Sequence, residues 1–171
     1  MNKKRVQIVL DADVIIHFAK GSLLSQLPSF LPEYEFVVLD VVKKEVLKPT
    51  ITQLENQIAY IKNIKEVTFG STSEEKKEYA RLTKNFGKGE SACMVYCRFN
   101  KEVVGSNNTK DIEKYCNENG ITFLTTNDFL YYGIKRKKIT IEGAENFIKE
   151  VISKNSNPPI VDFRTYFCNK L

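Results

Sequence analysis

Several acidic residues of this chain stand where a strand-like run ends or a helix begins, the places where an α/β protein keeps its reactive groups. Val6 to Leu10 is rich in β-branched residues and stops at Asp11, with Asp13 two positions on; Glu102 to Gly105 is a similar run followed by Asn107, Asn108 and Asp111. Glu45 comes shortly after the strand-like Phe36 to Leu39, and Glu90 opens a helix directly behind Gly87-Lys88-Gly89. Each has a plain structural use on its own. Asp11 could simply end a strand, Glu45 could sit on an exposed helix face beside Lys43 and Lys44, Glu90 could answer a helix dipole, and Asp111 could cap a helix. The conjunction points to chemistry. Carboxylates gathered without partners repel and raise one another's pKa, a penalty relieved when a hard cation binds among them. Mg²⁺ or Mn²⁺ suits such an all-oxygen set, whereas zinc favours cysteine or histidine. An ion of this kind orients a phosphodiester, neutralises its charge and lowers the pKa of a bound water.

Composition narrows the alternatives. The single histidine, His17, lies within the first helix-like segment, which speaks against Ser-His-Asp or Cys-His hydrolysis. The four cysteines, Cys93, Cys97, Cys116 and Cys168, include no C-x-x-C pair and read as reduced, partly buried thiols; His17, Cys93 and Cys97 read as packing rather than as ligands. The net charge of +5 comes with basic clusters at Lys3 to Arg5, Lys43-Lys44 and Lys135 to Lys138, compatible with a polyanionic partner or with a solvated surface. No apolar stretch approaches the roughly 20 residues of a membrane span. The apolar run after the basic start is interrupted by Asp11 and Asp13, unlike a signal peptide, so a cytoplasmic protein with no membrane association is expected.

These residues need a scaffold, and the hydrophobic pattern supplies one. Five strands are expected, at Val6 to Leu10, Phe36 to Leu39, Glu66 to Phe69, Glu102 to Gly105 and Ile121 to Thr125. Helices are expected at Val14 to Lys20, Val41 to Leu47 with Asp40 as N-cap and Pro49 as stop, Thr50 to Ile64, Ser73 to Phe86, Glu90 to Phe99, Lys110 to Asn119, Asp128 to Lys135 and Glu142 to Ser153. Alternation of this kind predicts a parallel sheet covered by helices on both faces, and 171 residues fit one domain. In such folds ligands bind beyond the carboxyl ends of the strands, where strand order reverses.

At this point the sequence resembles the PIN-domain family of metal-dependent ribonucleases. The matching pieces are I-V-L-D-A-D-V-I-I (Ile8 to Ile16), V-V-K-K-E-V (Val41 to Val46), G-K-G-E-S-A (Gly87 to Ala92), V-V-G-S-N-N-T-K-D-I (Val103 to Ile112) and G-I-T-F-L-T-T (Gly120 to Thr126). They follow the family's order and span roughly residues 6 to 140, with a C-terminal helix and tail at about 141 to 171; residues after about 145 have no assigned counterpart. The resemblance implies a three-layer fold with strand order 3-2-1-4-5, and a catalytic, metal-binding quartet of Asp11, Glu45, Glu90 and Asp111. Asp13 and Asn108 would support it. Asp128 reads mainly as a helix start and stands as a further candidate. Asp13, Glu90 and Ile112 depart from the residues common in relatives, but no carboxylate of the quartet is lost.

What the resemblance implies of function is an endoribonuclease that uses Mg²⁺ or Mn²⁺ and leaves a 5′-phosphate and a 3′-hydroxyl. Lys88, Arg98 and Lys110 lie near the acidic positions in sequence and are candidate contacts to RNA phosphates. Many small PIN proteins are toxins held by a small antitoxin protein, and a homo-oligomer is a further expectation. Two other readings stay open. Haloacid-dehalogenase-like phosphatases also begin with a strand and Asp-x-Asp, the first being the nucleophile, but the G-S-N-N segment here precedes L-T-T and no Gly-Asp strand end follows. A non-catalytic PIN-like module binding RNA or protein would be expected to have lost site carboxylates.

Overall fold

Short β-branched runs form the strands of the computed structural model, which describes residues 4–171; Met1 to Lys3, and with them the beginning of the basic N-terminal cluster, lie outside the described residues. The strands are β1 (Gln7–Leu10), β2 (Glu35–Leu39), β3 (Ile64–Val67), β4 (Val103–Gly105) and β5 (Phe123–Leu124). All pair in parallel, in the order β3-β2-β1-β4-β5. Every residue of β1 and β4 is buried, the continuous pattern of strands covered on both faces.

Among the described residues eight α-helices join them: α1 (Ala12–Lys20), α2 (Asp40–Lys43), α3 (Thr50–Asn56), α4 (Ser73–Leu82), α5 (Lys88–Asn100), α6 (Thr109–Glu118), α7 (Thr126–Lys135) and α8 (Ile141–Ser153). Two packing groups result. Helix α1 lies against α3, α7 and α8, while α5 lies against α2, α4 and α6. The first group closes over an aromatic cluster in which the Phe18 ring meets Phe30, Phe129 and Phe147 at centroid separations of 6.3, 6.1 and 5.0 Å. All four cysteines are buried and unpaired. Among the described residues no helix is long and apolar enough to cross a membrane.

The pattern located the elements and misplaced some ends. The expected helix from Val41 to Leu47 shrinks to Asp40–Lys43, and Asp40 is its first residue rather than its cap. Beyond it, Glu45 and Val46 donate to carbonyls three residues back, tightening the chain before Pro49, whose ring disfavours helix at Lys48. Asp40 instead accepts from the Val41 and Phe69 amides, fastening the exit of β3. The expected helix Thr50 to Ile64 is α3 followed by a π-helical turn, Gln57–Ile61, that ends at Lys62 with φ 58°. The strand β3 starts two residues earlier than the pattern suggested, with Ile64 opposite Phe36.

The C-terminal tail has little regular structure yet is tied to α7. Asp128, 1% exposed, accepts from the Thr125 amide at 2.8 Å, from the Tyr166 hydroxyl at 2.7 Å and from the Lys170 ammonium at 2.8 Å. Asn127 Nδ2 donates to the Pro159 carbonyl, and the Leu171 amide to the Tyr132 hydroxyl. Burial alone would raise the Asp128 pKa, but these donors, Lys170 foremost, hold it below the usual carboxylate value. Asp128→Asn should therefore lower stability by about 2 kcal/mol, less than a fully buried pair loses because Lys170 can turn to water. Urea unfolding at neutral pH, with Tyr166→Phe as a milder comparison, measures this.

Candidate functional site

The parallel pairing of β1 and β4 places Leu10 opposite Gly105, and the Asp11 amide extends the ladder to the Gly105 carbonyl at 2.8 Å. Asp11 caps α1, with Oδ1 accepting from the Ala12 amide at 2.8 Å while Oδ2 accepts from the Ser106 hydroxyl at 3.1 Å. Asp13, in the first turn of α1, uses Oδ1 for the Val14 amide and Oδ2 for the Asn107 amide at 2.8 Å. The chain after β4 is thus held by both aspartates after β1.

Helices α5 and α6 bring the remaining acids. Glu90 lies in the first turn of α5 and is buried; Asp111 lies in the first turn of α6 and is exposed. The Asn108 side-chain amide bridges them, donating to Glu90 Oε1 and Asp111 Oδ2, both at 2.7 Å. Glu45, exposed beyond α2, reaches the start of α5, where Oε1 accepts from the Gly89 amide at 2.8 Å. A side chain on residue 89 would push the Glu45 carboxylate aside, since its Cβ would overlap that group.

Neutral groups carry out all of this fastening. Among the described residues, none of Asp11, Asp13, Glu45, Glu90 and Asp111 forms an ion pair with lysine or arginine. Burial, then the charges of Asp13 and Glu90, raises the Asp11 pKa against the hydrogen bonds from Ala12 and Ser106. Burial also raises Asp13. Burial followed by the Asp111 charge pushes Glu90 up to about 7, despite the Asn108 hydrogen bond. An all-oxygen set in which Asp11, Asp13 and Glu90 are pushed up, with no cationic partner among the described residues, fits a hard divalent cation. As positioned, no three Asp, Glu, His or Cys side chains among the described residues converge as a ready-made metal site.

A second layer supports the β4 exit. Asn107 accepts from the Thr126 amide at 2.8 Å and donates through Nδ2 to Thr126 Oγ1 at 2.9 Å, with His17 Nδ1 at 3.2 Å. Burial, aided by Lys20, pushes the His17 pKa down to about 4, so the imidazole is neutral, with Nδ1 within hydrogen-bond distance of both Asn107 Nδ2 and Thr126 Oγ1. The only histidine therefore serves a structural network. Nothing in the pattern singled out the Asn107, Thr126 and His17 network, whose members lie far apart in sequence; Asn107 was visible only as part of an amide-rich strand end.

The other sequence candidates separate clearly. Lys88 and Lys110 are exposed at the starts of α5 and α6, beside Glu90 and Asp111. Arg98 lies in the last turn of α5, bonded to Glu78 at 2.7 Å and the Tyr115 hydroxyl at 3.4 Å. Asp128 follows β5 and is committed to Lys170 and Tyr166.

The raised Glu90 pKa has a stability consequence with a definite sign. Its folded pKa of about 7 exceeds the ordinary 4.5, so its contribution is fully present below about pH 4.5 and is lost as pH rises through 7. In metal-free protein, Glu90→Gln should thus stabilise near pH 8 by roughly 1 kcal/mol, discounted for solvent screening, and change little near pH 4. Melting curves of the two proteins across that range decide it.

No protein-family model and no curated protein matches this sequence. Among solved structures, it is similar to a chain of VapBC2 from Rickettsia felis bound to a DNA fragment from their promoter, with 11% identity over 70% of this chain and 98% of that one, at a TM-score of 0.50. A PilT N-terminus domain protein from Sulfolobus solfataricus P2 is 12% identical over 72% of this chain and 90% of that one, at a TM-score of 0.47. A chain of FitAB bound to a DNA fragment is 11% identical over 70% and 94%, respectively, at a TM-score of 0.44. With its parallel sheet in the order β3-β2-β1-β4-β5 and its likeness to the Rickettsia structure, the chain has the fold of the PIN-domain family.

Proposed function

We propose that this protein is a divalent-metal-dependent endoribonuclease whose site is built from Asp11, Glu45, Glu90 and Asp111. The observation that carries the reading is the set of acids near the ends of β1 and β4, fastened by neutral donors and, among the described residues, without a cationic partner. Asp11, Glu45, Glu90 and Asp111 would hold Mg²⁺ or Mn²⁺, with Asp13 and Asn108 in support. When bound, such an ion neutralises phosphate charge and makes water a better nucleophile at neutral pH.

The chain's own groups prepare the rest. Ser106 and the Ala12 amide orient the Asp11 carboxylate, and the Gly89 amide draws Glu45 to the head of α5. Asn108 holds Glu90 and Asp111 together, limiting the motion needed to converge on one ion. Lys88 and Lys110 stand at the two helix starts, without carboxylate partners among the described residues, and suit the phosphates flanking the bond to be cut. Arg98 is not part of this proposal, being occupied at the far end of α5. Hydrolysis would leave a 5′-phosphate and a 3′-hydroxyl.

A role as the toxin of a toxin-antitoxin pair follows from the same reading, with a small partner protein masking the acidic cleft. The Rickettsia structure of similar fold is of a VapBC2 complex. A small reading frame beside this one, whose product co-purifies with the chain and suppresses cleavage, would support that role.

Cleavage of single-stranded RNA should require Mg²⁺ or Mn²⁺, stop in excess EDTA, and fall by about a hundredfold or more in Asp111→Asn, which removes a group of the site without touching the core. Asp128→Asn, corrected for its fraction folded, should retain most activity. Cleavage undiminished in EDTA, full activity in Asp111→Asn, or a 2′,3′-cyclic phosphate product would refute the mechanism. Hydrolysis of small phosphate monoesters with no action on RNA would instead favour Asp11 as a phosphatase nucleophile.

A further inference from the structure

Three consecutive residues between β4 and α6 touch all the acids of the candidate site except Glu45. The Ser106 hydroxyl donates to Asp11, the Asn107 amide to Asp13, and the Asn108 side chain to Glu90 and Asp111. These residues lie outside any helix or strand, so no regular ladder fixes them. Apart from bonds to the acids and to immediate neighbours, two places among the described residues tie the segment to the body of the protein. The Ser106 amide donates to the Leu124 carbonyl at 2.9 Å, and the Asn107 side chain is held where β5 passes into α7.

A primary amide suits that second place. Thr126 is fully buried; its amide donates to Asn107 Oδ1 at 2.8 Å, and its Oγ1 accepts from Asn107 Nδ2 at 2.9 Å. His17, buried on α1, lies with Nδ1 3.2 Å from Asn107 Nδ2 and 3.1 Å from Thr126 Oγ1. An alkyl group in place of the Asn107 amide would leave buried donors and acceptors of Thr126 unpaired.

We infer that Asn107 is a positioning residue for the cation site: by locking the exit of β4 onto Thr126 and His17, it sets the affinity for the ion without touching it. The inference rests on the metal-dependent reading and adds a residue remote from the ion on which its binding depends. Among the described residues the acids do not yet converge on one point, so how far they move to share an ion depends on where Ser106, Asn107 and Asn108 hold them. Freed from Thr126, the segment would sample other positions, and cation binding would have to restore the order. Once the ion is bound the reacting groups are the same, so the loss falls on metal affinity rather than on turnover at saturating metal.

The test is calorimetric titration of the chain with Mn²⁺. Asn107→Ala should weaken binding about tenfold or more, as loss of outer support to metal ligands does. Thr126→Val, which keeps the volume and removes the hydroxyl, should weaken it about threefold, the worth of one neutral hydrogen bond. Thr126→Ser, which keeps the hydroxyl and removes a core methyl, should melt lower yet bind as wild type does. Phe147→Leu, in the aromatic cluster, should behave in the same way, which separates positioning from stability. The Mn²⁺ concentration for half-maximal RNA cleavage should rise in step with the dissociation constant, while the rate at saturating Mn²⁺ stays within about threefold of wild type. Because His17 is the only histidine, untagged protein gives one set of imidazole resonances, and these should move when Mg²⁺ binds. Wild-type affinity in Asn107→Ala or Thr126→Val, equal losses in Thr126→Ser and Thr126→Val, a loss in Phe147→Leu matching that in Asn107→Ala, or His17 resonances unmoved by bound Mg²⁺ would each overturn the positioning role. In all those cases intact metal-dependent cleavage by wild-type protein would leave the proposed function standing. A wild-type chain that binds neither ion would end both.

Discussion

The parallel register between β1 and β4 is the constraint on which the candidate site depends. With Leu10 opposite Gly105, the two strands end level, and the residues that follow, Asp11 and Ser106, meet side by side. Gly105 permits this closeness, because a Cβ there would lie 3.2 Å from both Leu10 and Phe129. A slip of one residue would turn Asp11 and its neighbours to the other face of the sheet, exchanging buried apolar groups for charges. Hydrophobic burial on both faces of β1 and β4 resists that slip, so core packing and site geometry are set by one interaction.

Electrostatics distinguishes two acidic strand ends that look alike in sequence. The acids around β1 and β4 are held by amides and hydroxyls, which orient a carboxylate without cancelling its charge. After β5, Asp128 meets an ammonium, a phenol and its own capping amide, and its charge is spent on clamping the tail to α7. The first arrangement works against folding at neutral pH, since burial, and then neighbouring carboxylates, push Asp11 and Glu90 up. A cation binding at such a site would relieve the repulsion and stabilise the fold by mass action. The large aromatic cluster around Phe18 supplies apolar burial that offsets the strain.

The polar layer behind the site connects elements distant along the chain. Asn107 links the β4 exit to α7 through Thr126 and to α1 through His17, while its amide holds Asp13. Because His17 is kept neutral, this support is uncharged and does not offset the acids in front of it. Rigid backing of this kind keeps a set of repelling groups from splaying apart.

Much of this was legible in the sequence for a local reason: β-branched runs, helical periodicity, glycine turns and strand-end acids are properties of neighbouring residues. The five strands, the helices whose first turns carry Glu90 and Asp111, and the all-oxygen character of the candidate donor set could be read that way. Strand order could not, and came only from resemblance, because pairing partners are chosen by packing between segments far apart in sequence. The same holds for the fate of individual side chains. Arg98 is eight positions beyond Glu90 but at the opposite end of α5, where Glu78 and Tyr115 occupy it. Asp111 and Asp128 share a local pattern, yet Asn108 turns one toward Glu90, and Lys170, from the far end of the chain, claims the other. Composition and spacing thus determined which chemistry the chain could perform, and tertiary packing decided which acids keep their charge available for it, since only the folded chain brings a distant lysine to one and withholds it from the others.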